Sequence, residues 1–141
     1  MTERSFVDTN VWVYAVDAAD PDKQASARAL LAPNANQDLV VSAQVLSEFY
    51  VVVTRKLASP VGEDDASAMI TQMSRLPVVA IDTALVAAAI AGSRAWQISY
   101  WDALILVAAD ASGCRRVYSE DLEHGRTYGS VAVVSPFALA G

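Results

Sequence analysis

The sequence has a single cysteine, Cys114, and a single histidine, His124. One cysteine excludes a disulfide framework and a zinc site built from thiolates, and one histidine excludes a histidine cluster. Cys114 follows Gly113 at the start of a predicted strand, where a small buried side chain is favoured over a catalytic thiol. Any metal site in this chain is therefore expected to use oxygen ligands.

Long apolar runs are also missing. The segments 78–81 and 104–109 are far shorter than a membrane-spanning helix. The first residues, Met1 to Arg4, do not resemble the basic leader of a signal peptide followed by an apolar run. From these absences we expect a cytoplasmic protein with no membrane association.

Charged residues make up only 18% of the chain, and the 10 Lys and Arg are outnumbered by 16 Asp and Glu, which gives a net charge of −6. This excess opposes binding to a polyanion unless positive charge is concentrated locally or metal ions mediate the contact. A hydrophobic content of 54% excludes a disordered chain and is enough to leave apolar surface for a partner or a second copy. With no linker or repeat, residues 1–141 are predicted to form one domain.

Short apolar segments alternate with helical segments that begin at capping residues such as Ser42, Ser99 and the pair Asp20-Pro21. The short segments are uniformly apolar, which is typical of a parallel sheet covered by helices on both faces. The predicted strands are 6–7, 39–42, 78–81, 116–118 and 131–134. The predicted helices are 11–16, 21 to before Pro33, 43 to about 57, 63 to before Pro77, 83 to about 94, and 100–109.

Four acidic residues are expected to meet at one edge of this sheet. Asp8 directly follows the first strand, and Asp121 lies three residues past the fourth. Asp102 is in the first turn of its helix, and helix N-termini in such folds lie at the carboxyl edge of the strands. Glu48 lies about six residues into its helix, from where its side chain is able to lean back toward the same edge.

Three of these acids have a purely structural interpretation as well. Asp8 is a good helix N-cap, Asp102 forms a capping-box pattern with Ser99, and Asp121 is compatible with an ordinary loop acid. Glu48 is the most informative, because three valines flank it at helical spacing and a carboxylate there is poorly solvated without a cation.

Carboxylates gathered at one edge repel one another, so either some stay protonated or a divalent cation neutralises them. For oxygen ligands alone, Mg²⁺ or Mn²⁺ is the natural choice. Such an ion is able to activate a water molecule and to neutralise charge on a phosphodiester, and two ions about 4 Å apart would hold the attacking and the leaving oxygens. A bound metal would thus convert an acidic edge into an anion receptor.

The acids lie in segments that resemble the PIN-domain family and, within it, the VapC-type ribonuclease toxins of type II toxin–antitoxin pairs. The matching segments, in the family's order, are FVDTNV (6–11), SEF (47–49), SYWDALI (99–105) and SEDLEHG (119–125). The resemblance extends from about Phe6 to Phe137. It implies a PIN-like three-layer α/β fold with a five-stranded parallel sheet flanked by helices. It also implies endonucleolytic cleavage of RNA that depends on Mg²⁺ (or Mn²⁺).

Position by position, the resemblance matches Asp8, Glu48 and Asp102 to the three acids that hold the metal, and Asp121 to a fourth, more variable acid. Asn10 and Ser119 match the family's polar residue beside the first acid and the hydroxyl before the fourth. Glu120 stands next to Asp121, and register with the family pattern favours Asp121 as the one that faces the site. The resemblance further implies a homodimer, a cognate antitoxin whose tail enters the acidic groove, and structured cellular RNA as the substrate.

Three other functions are compatible with an acid after the first strand. An aspartyl-phosphate phosphotransferase commonly needs a second acid two residues on and a nearby lysine, but here Asn10 occupies that position and the two lysines, Lys23 and Lys56, are poorly placed. A PIN-like binding module without catalysis has no need for the desolvation of Glu48. A structure-specific DNA nuclease uses similar metal chemistry, and only the family resemblance favours RNA over DNA.

Residues outside the motifs receive secondary roles. Arg115, Arg116 and Arg126 are candidates for phosphate contacts near the acidic edge. His124 is interpreted as a loop residue or an RNA contact rather than a general base. Four aromatic residues are predicted to make core or dimer contacts rather than to stack on bases: Trp12, Tyr14, Trp96 and Trp101.

Overall fold

A computed structural model describes residues 3–138, which form six strands and six α-helices. The strands are β1 (Arg4–Val7), β2 (Asp38–Ser42), β3 (Val78–Val79), β4 (Arg116–Tyr118), β5 (Thr127–Tyr128) and β6 (Val131–Val134). The helices are α1 (Thr9–Val16), α2 (Pro21–Leu31), α3 (Ala43–Arg55), α4 (Glu63–Met73), α5 (Thr83–Trp96) and α6 (Tyr100–Ala111), with a short 3-10 turn at Pro33–Ala35.

The strands form one sheet in the order β3-β2-β1-β4-β6-β5. The first five strands in this order are parallel, which confirms the predicted α/β class with a parallel sheet. The sixth, β5, runs antiparallel to β6 and was not predicted. It is only two residues long, too short for a hydrophobic period, and a tight turn that begins at Gly129 (φ 60°) joins it to β6.

Helices cover both faces of the sheet. Phe6 is in register with Val40 and Val117, and these buried side chains share a core with residues of α3, α5 and α6, among them Phe49, Leu85 and Ile105. The next residue, Val7, points to the other face because side chains alternate along a strand. There it packs with Tyr118, Leu39, Val11 of α1 and Ala27 of α2. The fold thus has the three predicted layers.

The predicted caps begin the helices where expected. Ser42 accepts a hydrogen bond from the Val45 N–H at the start of α3, and Ser99 accepts one from the Asp102 N–H at the start of α6. Asp82, rather than Thr83, caps α5 through the Leu85 N–H. The boundaries differ by a few residues: α3 ends at Arg55, α5 continues to Trp96, and β3 is shorter than predicted.

Within the described part of the chain, none of the helices combines the length and the apolar composition needed to cross a membrane.

Two valines on α3 offer a matched test of this packing. Val53 is fully buried, whereas Val51 is 44% exposed on the same helix. We expect Val53→Ala to lower the free energy of unfolding by about 2 kcal/mol, because it removes buried methyl groups and leaves a cavity. Val51→Ala should change it by less than about 0.5 kcal/mol. Urea unfolding followed by circular dichroism measures both, and equal effects would contradict the observed orientation of α3.

Candidate active site

Asp8 lies at the carboxyl end of β1, in the middle of the sheet, and is only 5% exposed. Its carboxylate accepts hydrogen bonds from the Thr9 N–H (2.7 Å) and from the Ser119 hydroxyl (2.8 Å). The register of the sheet explains the second bond: Val7 pairs with Tyr118, so the residues that follow them emerge side by side. Asp8 therefore caps α1 and at the same time faces the end of β4.

The Asn10 side chain connects Asp8 to the loop after β4. Its Nδ2 lies 3.3 Å from Asp8 Oδ2 and 3.1 Å from Asp121 Oδ2, while its Oδ1 accepts the Glu120 N–H at 3.0 Å. The bond to Glu120 fixes the orientation of the amide, so its NH₂ group faces the two carboxylates. Ser119 Oγ completes the network by accepting the Asp121 N–H at 3.1 Å.

Glu48 and Asp102 approach the same edge from the helices. Burial raises the pKa of both carboxyls, and the negative charge of Asp121 raises both further. Asp102 also raises the pKa of Glu48, which shows that these charges are close enough to interact. The side chain of Glu48 is exposed as a whole, yet its carboxyl is partly desolvated, as the flanking valines predicted. Val45 is buried, whereas Val51 faces solvent and leaves Glu48 accessible.

Asp8 is the most strongly perturbed of the four acids. Burial raises the pKa of Asp8 to about 7 from an ordinary value of 3.8, and the charges of Asp121 and Glu48 add to this. The hydrogen bonds from Ser119 and Thr9 lower the pKa of Asp8 but do not offset burial. In the free protein, the hydrogen bonds to Asp8 thus do not compensate for the burial of its negative charge.

The structure brings the four predicted acids to one edge, but not into one cluster. Asp8 and Asp121 share the Asn10 amide, whereas Glu48 and Asp102 are coupled to them only through their charges. Among residues 3–138, no three acidic, histidine or cysteine side chains converge closely enough to hold one metal ion as they stand. In the same part of the chain, none of the four acids forms an ion pair.

The donor set nevertheless fits a hard divalent cation. All four candidates are carboxylates, the ligands that Mg²⁺ and Mn²⁺ prefer, and their negative charge has no ion-pair partner among residues 3–138. Binding at Asp8 would relieve the charge that raises its pKa.

Two clefts border this edge and share Glu48. One, of about 290 Å³, is lined by residues of α1 and the loop after β4, including Asn10, Tyr14, Glu120 and Asp121. The other, of about 700 Å³, lies between α3 and α6 and includes Gln44 and Trp101. Trp101 is 64% exposed, so its prediction as a core residue was wrong, while a contact with a second copy remains a prediction.

Glu120 and Asp121 have different surroundings. Asp121 contacts the Asn10 amide, whereas Glu120 forms an ion pair with Lys23 of α2. This hydrogen bond with Glu120 raises the pKa of Lys23. This pair could not be predicted from the sequence, since Lys23 and Glu120 are 97 residues apart and no local pattern connects them.

The arginines predicted near the acidic edge lie elsewhere. Arg116 pairs with Ser5 at the amino end of the strands, so Arg115 and Arg116 are at the opposite edge of the sheet and that prediction was wrong. Arg126 donates to the Trp96 carbonyl at the end of α5 and stacks on Tyr128. The Nδ1 of His124 accepts the Ser135 N–H at 2.9 Å, a structural contact that does not use the acids.

The raised pKa of Asp8 predicts a pH-dependent cost to stability. A carboxyl whose pKa is higher in the folded than in the unfolded state favours folding at low pH, and this contribution is lost as the pH rises through about 7. Asp8→Asn removes the charge and keeps a capping side chain. In EDTA, we expect it to stabilise the protein by about 1–3 kcal/mol more at pH 8 than at pH 5.

Urea unfolding at the two pH values measures this difference. The control is Asp82→Asn, which changes an exposed acid that caps α5. Equal gains for Asp8→Asn at both pH values would contradict the assigned burial of its charge.

Comparison with known proteins agrees with this architecture. A sequence model of the PIN domain matches residues 5–130. No curated protein sequence matched the chain significantly. The fold is similar to VapC20 of Mycobacterium tuberculosis, described as a sarcin-ricin loop cleaving toxin, with 18% identity, a TM-score of 0.62 and coverage of 82% of this chain and 88% of that chain.

It is also similar to two structures determined with DNA. One is VapBC2 from Rickettsia felis, with 17% identity, a TM-score of 0.65 and coverage of 94% of this chain and 98% of the other. The second is VapBC from Salmonella typhimurium, with 18% identity, a TM-score of 0.66 and coverage of 96% and 99%. These similarities support the fold, and the sequence model covers most of the chain. The chain therefore belongs to the PIN domain family.

Proposed function

We propose that this chain is a single PIN domain over residues 1–141 that acts as a metal-dependent endoribonuclease, the toxin of a type II toxin–antitoxin pair. One observation carries the proposal. Four carboxylates, Asp8, Glu48, Asp102 and Asp121, lie at the carboxyl edge of a parallel sheet, interact through their charges, and have no ion-pair partner among residues 3–138. A requirement for a bound cation explains why the chain keeps these carboxylates together despite the cost of burying and crowding their charges.

In this proposal the four carboxylates hold Mg²⁺ or Mn²⁺. When bound, such a cation activates water and neutralises charge on a phosphodiester. Asn10 and Ser119 position the ligands: the amide holds Asp8 and Asp121 side by side, and the hydroxyl fixes one oxygen of Asp8. Both donors are neutral, so they orient the acids without replacing the cation.

RNA is the proposed substrate, and the support for it comes from family membership. Among the similar structures, VapC20 is described as a sarcin-ricin loop cleaving toxin. The chemistry at a phosphodiester is the same in DNA, so a DNA substrate belongs in the same assay. A toxin that acts on cellular RNA would work in the cytoplasm.

A PIN-like binding module without catalysis is the second candidate. The observation that favours it is that no three of the acids, or of any similar side chains in residues 3–138, converge on one point. Catalysis therefore requires Glu48 and Asp102 to turn toward Asp8 when a cation binds. Metal binding without cleavage would identify the module instead.

We also propose an antitoxin partner, because a structure of similar fold from Klebsiella pneumoniae is described as a toxin–antitoxin complex. Expression of the wild type alone should then arrest bacterial growth, while an inactive variant should not.

A homodimer is the third partner in this proposal, and α5 is the surface that supports it. No charged residue occurs between Asp82 and Arg94, and the exposed residues of this stretch are mostly alanines. Ile90 is 49% exposed on this helix, and the exposed Trp101 lies in the first turn of α6, which packs against α5. Apolar residues on adjacent exposed elements are typical of a surface that a second copy covers.

Cleavage of a labelled structured RNA by the purified protein tests the central proposal. With Mg²⁺ or Mn²⁺ the wild type should cut, and EDTA should stop it. Asp8→Asn and Asp102→Asn should each lower the rate about a hundredfold or more, equivalent to about 2.7 kcal/mol of transition-state stabilisation. The exposed capping acid provides a control, since Asp82→Asn should cut like the wild type.

Thermal unfolding with and without Mg²⁺ gives a second readout that is independent of activity. Mg²⁺ should raise the Tm of the wild type more than that of Asp8→Asn, because the variant lacks one ligand. Cutting by all variants alike would point to a contaminant. A Mg²⁺-dependent rise in Tm with no cleavage of RNA or DNA would favour the binding module.

The dimer is tested by Ile90→Glu, which places a charge on the apolar face of α5. We expect the wild type to elute at twice the monomer mass in size-exclusion chromatography with light scattering, and the variant to elute as a monomer. Val51→Glu, at a similarly exposed valine of α3, is the matched control and should leave the mass unchanged. A monomeric wild type would refute the dimer.

A further inference from the structure

Lys23 is held in place at one side of the acidic edge. It lies in the first turn of α2, and its Nζ donates to the Glu120 carboxylate and to the Tyr14 hydroxyl, the latter at 3.3 Å. The ammonium also lies over two aromatic rings, 4.8 Å from the centroid of Tyr14 and 5.4 Å from that of Phe137. These two rings contact each other edge to face at 5.0 Å. The ammonium group of Lys23 thus packs against an aromatic pair, Tyr14 and Phe137.

One member of this aromatic pair, Tyr14, also borders the acidic edge. Tyr14 and Glu120 line the same cleft of about 290 Å³ as Asn10, Glu48 and Asp121. The Glu120 N–H donates to the Asn10 amide oxygen, so the residue that binds Lys23 is joined to the network of Asp8. A polymer whose reacting phosphate lies at the acids would carry a neighbouring phosphate along this cleft.

Positive charge near the cleft is scarce, and a polyanion needs it. The other two described ion pairs, Arg4–Asp38 and Arg126–Glu123, use acids outside the cleft. Within residues 3–138, Lys23 is the one lysine or arginine that forms an ion pair with the segment 119–122, which carries Asp121.

The Glu120 contact does not prevent Lys23 from exchanging partners. Both side chains are partly exposed, 31% and 29%, and such ion pairs contribute about 0–1 kcal/mol. A phosphate of a nucleic acid offers the same kind of charge-assisted bond and also releases condensed counterions. The phosphate is therefore able to compete for the lysine.

We propose that Lys23 and Tyr14 form a binding site for a backbone phosphate of the RNA substrate beside the acidic edge, and that Glu120 occupies this site in the free protein. The inference rests on the proposed nuclease function. Glu120 is then an internal competitor: it weakens binding of any polyanion, so that only an RNA with further contacts displaces it. No covalent bond changes in this exchange.

If the Lys23–Glu120 pair has a purely structural role, a different result is expected. If Lys23 and Glu120 only tie α2 to the loop after β4, removing either partner has the same consequence. In the proposed exchange, loss of Lys23 weakens RNA binding, whereas loss of the Glu120 charge strengthens it. The two variants therefore separate the roles by the sign of their effects.

The experiment measures the binding of a fluorescein-labelled RNA hairpin by anisotropy, in Mg²⁺, with Asp102→Asn present throughout to stop cleavage. Adding Lys23→Met should weaken binding about threefold to tenfold and reduce the slope of log K against log salt by about 1. Lys23→Arg should restore most of the affinity. Glu120→Gln should tighten binding, and the double variant with Lys23→Met should lose this gain.

Arg75→Met is the matched control, because it removes a positive charge at an exposed position between the end of α4 and the start of β3, at the amino edge of the sheet. It should leave the salt slope unchanged. The inference is overturned if Glu120→Gln fails to tighten binding, or if Lys23→Met and Arg75→Met change the slope alike. In those cases, cleavage by the chain without Asp102→Asn would leave the nuclease proposal standing. Absence of RNA binding and cleavage by the wild type would overturn both.

Discussion

Negative charge with no ion-pair partner among residues 3–138 is the constraint on which the carboxyl edge of this sheet depends. β1 and β4 end side by side, so the chain must place Asp8 next to Ser119 and close to Asp121. The protein satisfies these carboxylates with an amide, a hydroxyl and one backbone N–H rather than with lysine or arginine. Neutral donors orient a carboxylate but leave its charge in place, which keeps the edge receptive to a cation.

The other residues around the acids are placed so that they add little positive charge to this edge. Asp102 lies in the first turn of α6, where the positive end of the helix dipole favours a carboxylate, and Glu48 keeps access to solvent. Arg115 and Arg116 are at the opposite edge, where they do not neutralise the acids. Lys23 is close, but Glu120 already accepts its hydrogen bond. The edge therefore remains poor in positive charge although ten lysines and arginines occur in the sequence.

Local chemistry explains what the sequence predicted well. Ser42, Ser99 and Asp20 mark helix starts because a capping side chain acts within three residues of itself. Parallel topology then brings Asp8, Asp102 and Asp121 to one edge without knowledge of any contact.

Contacts between segments that are distant in the sequence could not be predicted from local patterns. The Lys23–Glu120 pair joins residues 97 positions apart, and the exposure of Glu48 depends on how α3 sits on the sheet. The misplacement of Arg116 has a simpler cause. Its position at the start of β4 already put it at the amino end of a parallel strand. The parallel topology alone therefore places Arg116 away from the acids.

The two outermost strands of the sheet are its shortest. β3 and β5 have two residues each, so each exposed edge offers very few backbone N–H and C=O groups to another polypeptide. Edge-to-edge pairing of sheets, the usual start of aggregation in proteins with exposed strands, has almost no template here. The sheet therefore combines an apolar centre and a charged rim with edges that offer little to a second sheet.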